Sequence, residues 1–558
     1  IIKGPELQRL AFIQQNQGRN ISPRRGTIYD RNYNELAVSA SVETISVNPQ
    51  DIKNKYNEET IRKIADKLSE LLELTEKEKE EAYAKMIKAS RYEIIKAKVD
   101  KSIGEKVRKW IQSEGIIGIN VDEDSKRYYP NGNLAAHVIG FTRSDNAGND
   151  GIEAIMEQYL KGVPGKILSE VDAGGRELPF KEETYIKPQD GLNVVLTIDE
   201  TIQYFATKAL DKAIADYNVL NGAVAIVMDP RNGDILALVS KPDYDLNNPR
   251  AAPVGIEGVN PETWTGTSAE DVKILQETVW RNKAVSDLYE PGSVFKAITA
   301  AAALEEGIVT PETRVNDRTV KVAGHNIDCW KPNFHGDESF TEAVYNSCNP
   351  VFVRLAQSLG IETFYKYVRA FGFYDTTKIS LYGEAKGYFH AKPTEIDMCV
   401  ASFGQRFQVT PLQVITAYAA IANGGELIRP RLVKELVDSE GNVVKTFETE
   451  KVRTVISKKT SDTLREILEG VVSKGTGRNA YVPGYRVAGK TGTSETTYSK
   501  NRYIASFSAF APADNPVICV LVVLDNPTAI AHTGGVTAAS VAGKLIEDIL
   551  TYLEVERR

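Results

Sequence analysis

Residues 290–296 read EPGSVFK, with Ser293 and Lys296 three positions apart. On a helix that spacing puts both side chains on one face, one turn from each other. A serine hydroxyl is a weak nucleophile until a base takes its proton. A lysine serves as that base only when burial or a nearby cation lowers its pKa. A helix N-terminus adds free N–H groups and the positive end of a dipole. Together these suit acyl transfer. By itself the pair is weak: chance gives about two Ser-x-x-Lys matches in a chain of this length at average usage, and a capping serine with a surface lysine is the plain alternative. Ser347-Cys348-Asn349 and Lys490-Thr491-Gly492-Thr493 follow 54 and 143 residues further on. Three such clusters in this order are far harder to obtain by accident. Ser347 and Asn349 share a side, offering a hydroxyl and an amide to relay a proton and hold a peptide bond. Gly492 leaves room for a substrate lying along a strand edge as an added strand. Thr491 and Thr493 supply hydroxyls, and Lys490 a positive charge, for a carboxylate.

A second cluster lies beside the first. HNIDCWKPNFHG (325–336) and Cys348 bring Cys329, His335 and Cys348 within twenty residues. Zinc takes such ligands at tetrahedral sites, and a metal there would pin the Ser347-Cys348-Asn349 segment to the loop before it. Asp328, His325, water or a distant residue are open as the fourth ligand; His325 would lie about 13 Å from Cys329 on an extended segment. Free buried thiols, a Cys329–Cys348 disulfide, or a His335 that bonds only backbone compete with the metal reading. Cys399 and Cys519 sit in apolar runs and read as core residues. His137, His390 and His532 lack metal-like company.

The elements that must position these residues fall into two halves. A chain of 558 residues needs more than one core. Its net charge of -7 argues against a nucleic-acid partner, and four cysteines are too few for a disulfide scaffold. Residues 57–115 are rich in Lys and Glu and read as exposed helices, with Leu68, Leu71, Leu72 and Leu74 as an apolar stripe. The texture changes near Gly191. NVVLTID, AVAIVMDPRNGDILALV, YIASFSAFAP and VICVLVVLDNP read as strands, the second as a hairpin turning near Asn232–Gly233. About 270–475 between them is mostly helical. The reading is an α+β multidomain chain, 1–190 and 191–558, whose second half closes one sheet with strands from both of its ends. No apolar run is long enough to span a membrane. IIKGPELQRLAFIQQ reads as the middle of a longer chain, with an anchor or signal expected before it.

The ordered motifs Ser-x-x-Lys, Ser-x-Asn and Lys-Thr-Gly resemble the signature shared by penicillin-binding proteins and related β-lactamases. PRRGTIYDRNYNELAVS (23–39), KRYYPNGNLAAHVIGFT (126–142), GIEAIMEQYLKG (151–162), GLNVVLTIDETIQ (191–203), SFGQRFQVTPLQ (402–413) and SFSAFAPADNP (506–516) extend the resemblance to class B penicillin-binding proteins over nearly all of the chain outside 50–120. Tyr33-Asn34 departs from the class, where a glycine often follows the Arg-x pair. The resemblance implies an elongated, dimerisation-like N-terminal pedestal and a transpeptidase domain with a central antiparallel sheet flanked by helices. It implies that Ser293 is acylated by the penultimate D-alanine of a peptidoglycan stem peptide, with Lys296 as base. The backbone N–H groups of Ser293 and Thr493 would form the oxyanion hole, and Ser347 and Lys490 join the catalytic set. Asn349, Thr491, Gly492 and Thr493 would bind substrate. No cofactor is needed for acyl transfer; structural Zn2+ is the one candidate. Implied partners are stem peptides on lipid II-derived glycan strands, β-lactams, and a membrane glycosyltransferase of the division or sporulation machinery. The catalytic domain would face outside the cytoplasm behind a single-pass anchor. The cysteine and histidine placements resemble sporulation-specific members and some clostridial relatives, so spore cortex synthesis is the expected process. Septal or lateral-wall synthesis, a D,D-carboxypeptidase, and a non-enzymatic β-lactam sensor or scaffold are the alternatives. A β-lactamase would need a residue to activate water, and no segment resembles that loop.

Overall fold

The computed structural model describes residues 16–170, 184–495, 502–529 and 533–558. Residues 1–15 and His532 lie outside them. Among the described residues no helix is long and apolar enough to cross a membrane.

The first half is organised by one long strand. After β1 (Ile28–Tyr29), β2 (Glu35–Val47) runs for 13 residues. Asn57 then caps α1 (Glu58–Leu71), its side chain accepting from Thr60 N at 2.9 Å. Ile61, Ile64, Ala65 and Leu68 form its buried stripe, in one core with Ile45 and Val47 of β2. Its charges stay outside as exposed pairs, Glu59–Lys63 and Lys67–Glu70. α2 (Glu76–Met86) follows, opened by a capping box at Thr75. The charged stretch is thus helical as expected but not only helical. Glu93–Val99 forms β3, which pairs with β2 ahead of α3 (Lys101–Glu114). In its sequence EIIKAKV, Ile94 and Ala97 are exposed while Lys96 and Lys98 are half-buried, which hides the alternation. β4 (Ile119–Tyr128) pairs antiparallel with β2 from Val47↔Ile119 to Val38↔Tyr128.

β5 (Asn193–Leu196) joins the halves. It lies parallel to β1 and antiparallel to β8 (Val433–Val437), with β9 (Val443–Thr446) outermost. The seven-stranded sheet therefore takes strands from both sides of the expected division at 190/191. Beyond it come α4 (Glu200–Tyr217) and the hairpin β6 (Ala223–Met228) and β7 (Ile235–Lys241), with Gly233 at φ 80° in its turn. These two strands meet three from the far end of the chain, β10 (Ala488–Glu495), β11 (Tyr503–Ala511) and β12 (Ile518–Asp525), in the antiparallel order β7-β6-β12-β11-β10. The closure of one sheet by both ends of the domain is as expected. Both faces are covered, which explains the continuous apolar runs. α4 and α10 (Ala538–Tyr552) pack on one face, in one core with the sheet. On the other lies α8 (Pro411–Ala422), every residue of which is buried. The expected helical region carries α5 (Lys296–Glu305), α6 (Phe340–Asn346), α7 (Asn349–Ala370) and α9 (Lys458–Ser473). It also carries short strand pairs over 314–339 and 426–454 that the sequence reading did not resolve.

A buried ionic knot braces the pedestal. Glu153 accepts from Arg25 Nε and Arg127 Nε, each at 2.6 Å, and Arg25 Nη1 reaches Glu157 at 2.6 Å. Glu153 is wholly buried. Five residues after Arg25, buried Asp30 accepts from Asn32 N, Asn34 N and Glu200 N, which ties the first turn to the start of α4. Gly26 lies between them, where a Cβ would stand 1.9 Å from Leu192 O. Removing one partner of a buried pair leaves a charge uncompensated. Arg25→Ala is therefore expected to lower unfolding free energy by about 3–5 kcal/mol, read by urea denaturation. A loss below about 1 kcal/mol would show that Arg127 alone suffices for Glu153.

Candidate active site and metal cluster

Ser293 sits in a single 3-10 turn, Gly292–Phe295, and Lys296 begins α5. Gly292, at φ +56°, donates its N–H to Gly404 O at 2.9 Å, and a Cβ on Gly404 would stand 1.9 Å from Gly292 O. The SFG segment can reach the turn only without side chains. Gly492 serves the same packing from the other side. It belongs to the edge strand β10, and a Cβ there would meet Pro291 O and Ser506 Oγ, both at 2.6 Å. The missing side chain admits the turn of Ser293.

Ser293 is half-buried, but the two lysines are sealed. Lys296 Nζ donates to Ser347 O (2.7 Å), Ser347 Oγ (3.1 Å) and Asn349 Oδ1 (2.6 Å). That engages all three donors of an ammonium. Lys490 Nζ donates to the same Ser347 Oγ at 2.9 Å and to Thr491 O at 3.3 Å. Lys490 thus shares the Ser347 hydroxyl with Lys296. Ser347 closes α6 in the left-handed region, φ 58° and ψ 43°, which turns its carbonyl and hydroxyl to Lys296. Burial and the charge of Lys490 push the Lys296 pKa well below its usual value, against an opposing pull from the cysteines. Burial brings Lys490 down to about 7. Burial thus favours the neutral form of both amines.

Thr491 and Thr493 present hydroxyls on the opposite side of β10 from Lys490. Thr491 Oγ1 donates to Thr476 Oγ1 at 3.4 Å, and Thr493 Oγ1 accepts from Gly534 N at 3.0 Å. Thr476 was missed in the sequence: it stands in SKGTGR, an ordinary post-helix loop. Trp330 was missed also. Its indole is 62 % exposed, donates to Asn346 O at 2.8 Å beside Ser347, and lies edge-on to His335.

Cys329, His335 and Cys348 converge as expected, and Asp317 completes the group. One ligand atom from each lies within 4.8 Å of all the others. His335 Nδ1 stands 3.1 Å from Cys348 Sγ, 3.4 Å from Cys329 Sγ and 3.0 Å from Asp317 Oδ2. The two sulfurs are 4.0 Å apart as free thiols, far beyond the ~2.05 Å of a disulfide. Tetrahedral zinc with ~2.0–2.3 Å bonds needs ligand separations of about 3.3–3.8 Å, which the separations here bracket, and two thiols, an imidazole and a carboxylate are donor types that zinc takes. Asp328 and His325 take no part: Asp328 accepts from Thr319 Oγ1, and His325 is exposed on a short strand. Asp317 is delivered by strand register. Arg314–Asn316 pairs with Asp337–Ser339, and Val320–Val322 with His325–Ile327, so 317 falls beside both 329 and 335. Burial opposes the charge on Asp317, but the N–H of His335, the Cys329 thiol and the N–H of Gly336 outweigh it and hold the carboxyl at about 2. Burial, with Glu338 next to it, pushes the Cys348 thiol far up. Among the other described histidines, His137 is buried against Val279 O, and burial lowers it to about 4. His390 neighbours Asp397.

Residues 223–547 match the penicillin binding protein transpeptidase domain and residues 20–196 the penicillin-binding protein dimerisation domain. The chain is 37% identical to stage V sporulation protein D of Bacillus subtilis, over 100% of this chain and 82% of that protein. It is 28% identical to the peptidoglycan D,D-transpeptidase FtsI of Escherichia coli, over 96% and 85%. A peptidoglycan synthetase from Bifidobacterium adolescentis shares the fold at a TM-score of 0.76 and 24% identity, over 98% of each chain. Penicillin-binding protein 2X of Streptococcus thermophilus shares it at 0.75 and 24%, over 96% and 80%. With both domains matched in this order, the chain belongs to the class B penicillin-binding proteins.

Proposed function

We propose that this chain cross-links peptidoglycan stem peptides through an acyl-enzyme on Ser293, and that residues 191–558 carry this chemistry on a pedestal of residues 1–190. The observation that carries the reading is the Ser347 hydroxyl bridged by two buried lysines one helical turn from Ser293. Neutral Lys296 takes the proton of Ser293 Oγ as that oxygen attacks the carbonyl of the penultimate D-alanine. The N–H groups of Ser293 and Thr493 hold the oxyanion. The C–N bond then breaks, and the proton passes from Lys296, by way of Ser347 and Lys490, to the departing D-alanine amine. Asn349 orients Lys296 and the peptide bond. The hydroxyls of Thr491 and Thr493 receive the terminal carboxylate, with Thr476 behind them. β-Lactams acylate the same serine.

Intact mass with excess benzylpenicillin tests this. A stable adduct of one penicillin is expected, absent in Ser293→Ala, and release of D-alanine from a pentapeptide donor is expected only from the unaltered chain. An adduct without D-alanine release would make this a sensor. The acylation rate is expected to rise with pH through about 7 as Lys490 loses its proton. Lys490→Arg keeps a charge beside Ser347 and interrupts the relay, and should slow acylation by about a hundredfold or more; a pH-independent rate in the unaltered chain would exclude a lysine relay.

Asp317, Cys329, His335 and Cys348 form a structural zinc site. The ion would supply positive charge to a site crowded with acidic groups and lock Cys348, and with it Ser347 and Asn349, to the 317–336 loop. Elemental analysis of protein purified without a nickel column should find about one zinc per chain, with a lowered unfolding midpoint after chelation. Below about 0.2 zinc per chain the site is not a zinc site.

The similarity to stage V sporulation protein D supports a role in spore cortex synthesis, at the outer face of the membrane behind an anchor and beside a membrane glycosyltransferase. Deletion in a spore-forming host should leave vegetative growth intact and give spores without cortex; loss of vegetative growth would point to septal or lateral-wall synthesis.

A further inference from the structure

Arg354 lies in the second turn of α7, the helix that Cys348 caps and Asn349 begins. Its half-buried guanidinium donates to backbone carbonyls. Nη1 donates to Asn316 O at 2.8 Å and Nη2 to Arg318 O at 3.0 Å. Nη1 also reaches back to Pro350 O of its own helix at 3.5 Å. The first two carbonyls flank Asp317.

Asp317 stands in a turn between two short strands, Arg314–Asn316 and Val320–Val322. Asn316 Oδ1 accepts from Arg318 N at 2.8 Å across that turn. The turn therefore has two sides. Its flanking carbonyls face Arg354. The Asp317 carboxylate faces the other ligands, accepting from His335 N at 2.7 Å and Gly336 N at 3.0 Å. Cys329 and His335 come from one loop and Cys348 from the cap of α7, so Asp317 is the ligand brought in from a separate turn.

A guanidinium suits the task of holding that turn. Its planar fork can grip two acceptors in a fixed geometry, whereas a lysine ammonium is a point charge on a flexible stem. Hydrogen bonds from a charged donor are also stronger than neutral ones. Burial pulls the Arg354 pKa down and the charge of Asp317 opposes it, so the cation also lies close enough to feel the carboxylate.

We propose that Arg354 is a positioning residue for the metal centre: its fork fixes the turn that aims Asp317 into the cluster, so the helix that carries Cys348 also sets the fourth ligand. The proposal rests on the zinc reading. Groups that orient a metal ligand typically change affinity by about 10–100-fold when removed.

Zinc competition against a chromophoric chelator, with cobalt spectra alongside, tests this on the reduced full chain. Arg354→Lys keeps the cation without the fork, Arg354→Gln removes both, and Asp317→Ala removes the ligand. Both Arg354 variants should bind zinc about tenfold or more weakly than the unaltered chain. Their cobalt d–d bands should move toward those of Asp317→Ala, in which water takes the fourth position. Circular dichroism checks the fold of each variant, and Arg354→Lys carries the comparison if Arg354→Gln does not fold. Unchanged zinc affinity in Arg354→Lys overturns the proposal, as does weaker binding with an unmoved cobalt spectrum; either leaves the zinc reading intact. An unaltered chain that binds neither zinc nor cobalt overturns both.

Discussion

The Ser347 hydroxyl held between two buried lysines is the constraint on which the rest of the site depends. An ammonium resists leaving water, so burial alone favours its neutral form. Lys296 and Lys490 stay in place because oxygens meet their N–H groups: the carbonyl and hydroxyl of Ser347, the amide of Asn349 and the carbonyl of Thr491. Those partners exist only because Ser347 adopts a left-handed backbone, a conformation that costs about 1–2 kcal/mol for a residue with a side chain. Helix α6 ends there and α7 begins two residues later, so the strain is held at both ends by regular structure.

The residue between the two partners explains how that strained turn is kept. Cys348 points to Asp317, Cys329 and His335 while its neighbours point to Lys296. The motif is therefore a two-sided clamp, with proton chemistry on one side and a ligand cluster on the other. Glycines set the remaining spacing. Gly292, Gly404 and Gly492 let a turn, a loop and an edge strand approach closely enough that Lys490 reaches Ser347 across 143 residues of chain.

The pedestal is joined to this domain by backbone rather than by side chains alone. β5 shares hydrogen bonds with β1 on one side and β8 on the other. Asp30 bonds the first residue of α4, the helix that backs the five-stranded sheet. The Arg25–Glu153–Arg127 knot stiffens the same corner. The Arg-Gly and Asp-Arg residues of the N-terminal motif thus act as structural joints, far in sequence from the chemistry.

What the sequence by itself determined was local or strictly ordered. Ser293 and Lys296 are one turn apart whatever surrounds them, and the three motifs in their order led to the family. Apolar runs such as VICVLVVL announced strands of a sheet, and the Asn-Gly pair its hairpin. Legibility failed where neighbours in space are distant along the chain. Asp317 looks like any surface acid until two short strand pairs bring it beside His335. β3 was hidden because Ile94 and Ala97 take its exposed positions and Lys96 and Lys98 its half-buried ones. The setting of Lys490 was not legible because its residue type offers only a charge, and burial against Ser347 is what lowers its pKa. That the side chain missing at Gly492 also admits Pro291 was visible only in the packing. Spacing along a chain specifies which groups can share a face; burial, register and close approach, which decide what those groups do, are properties of packing alone.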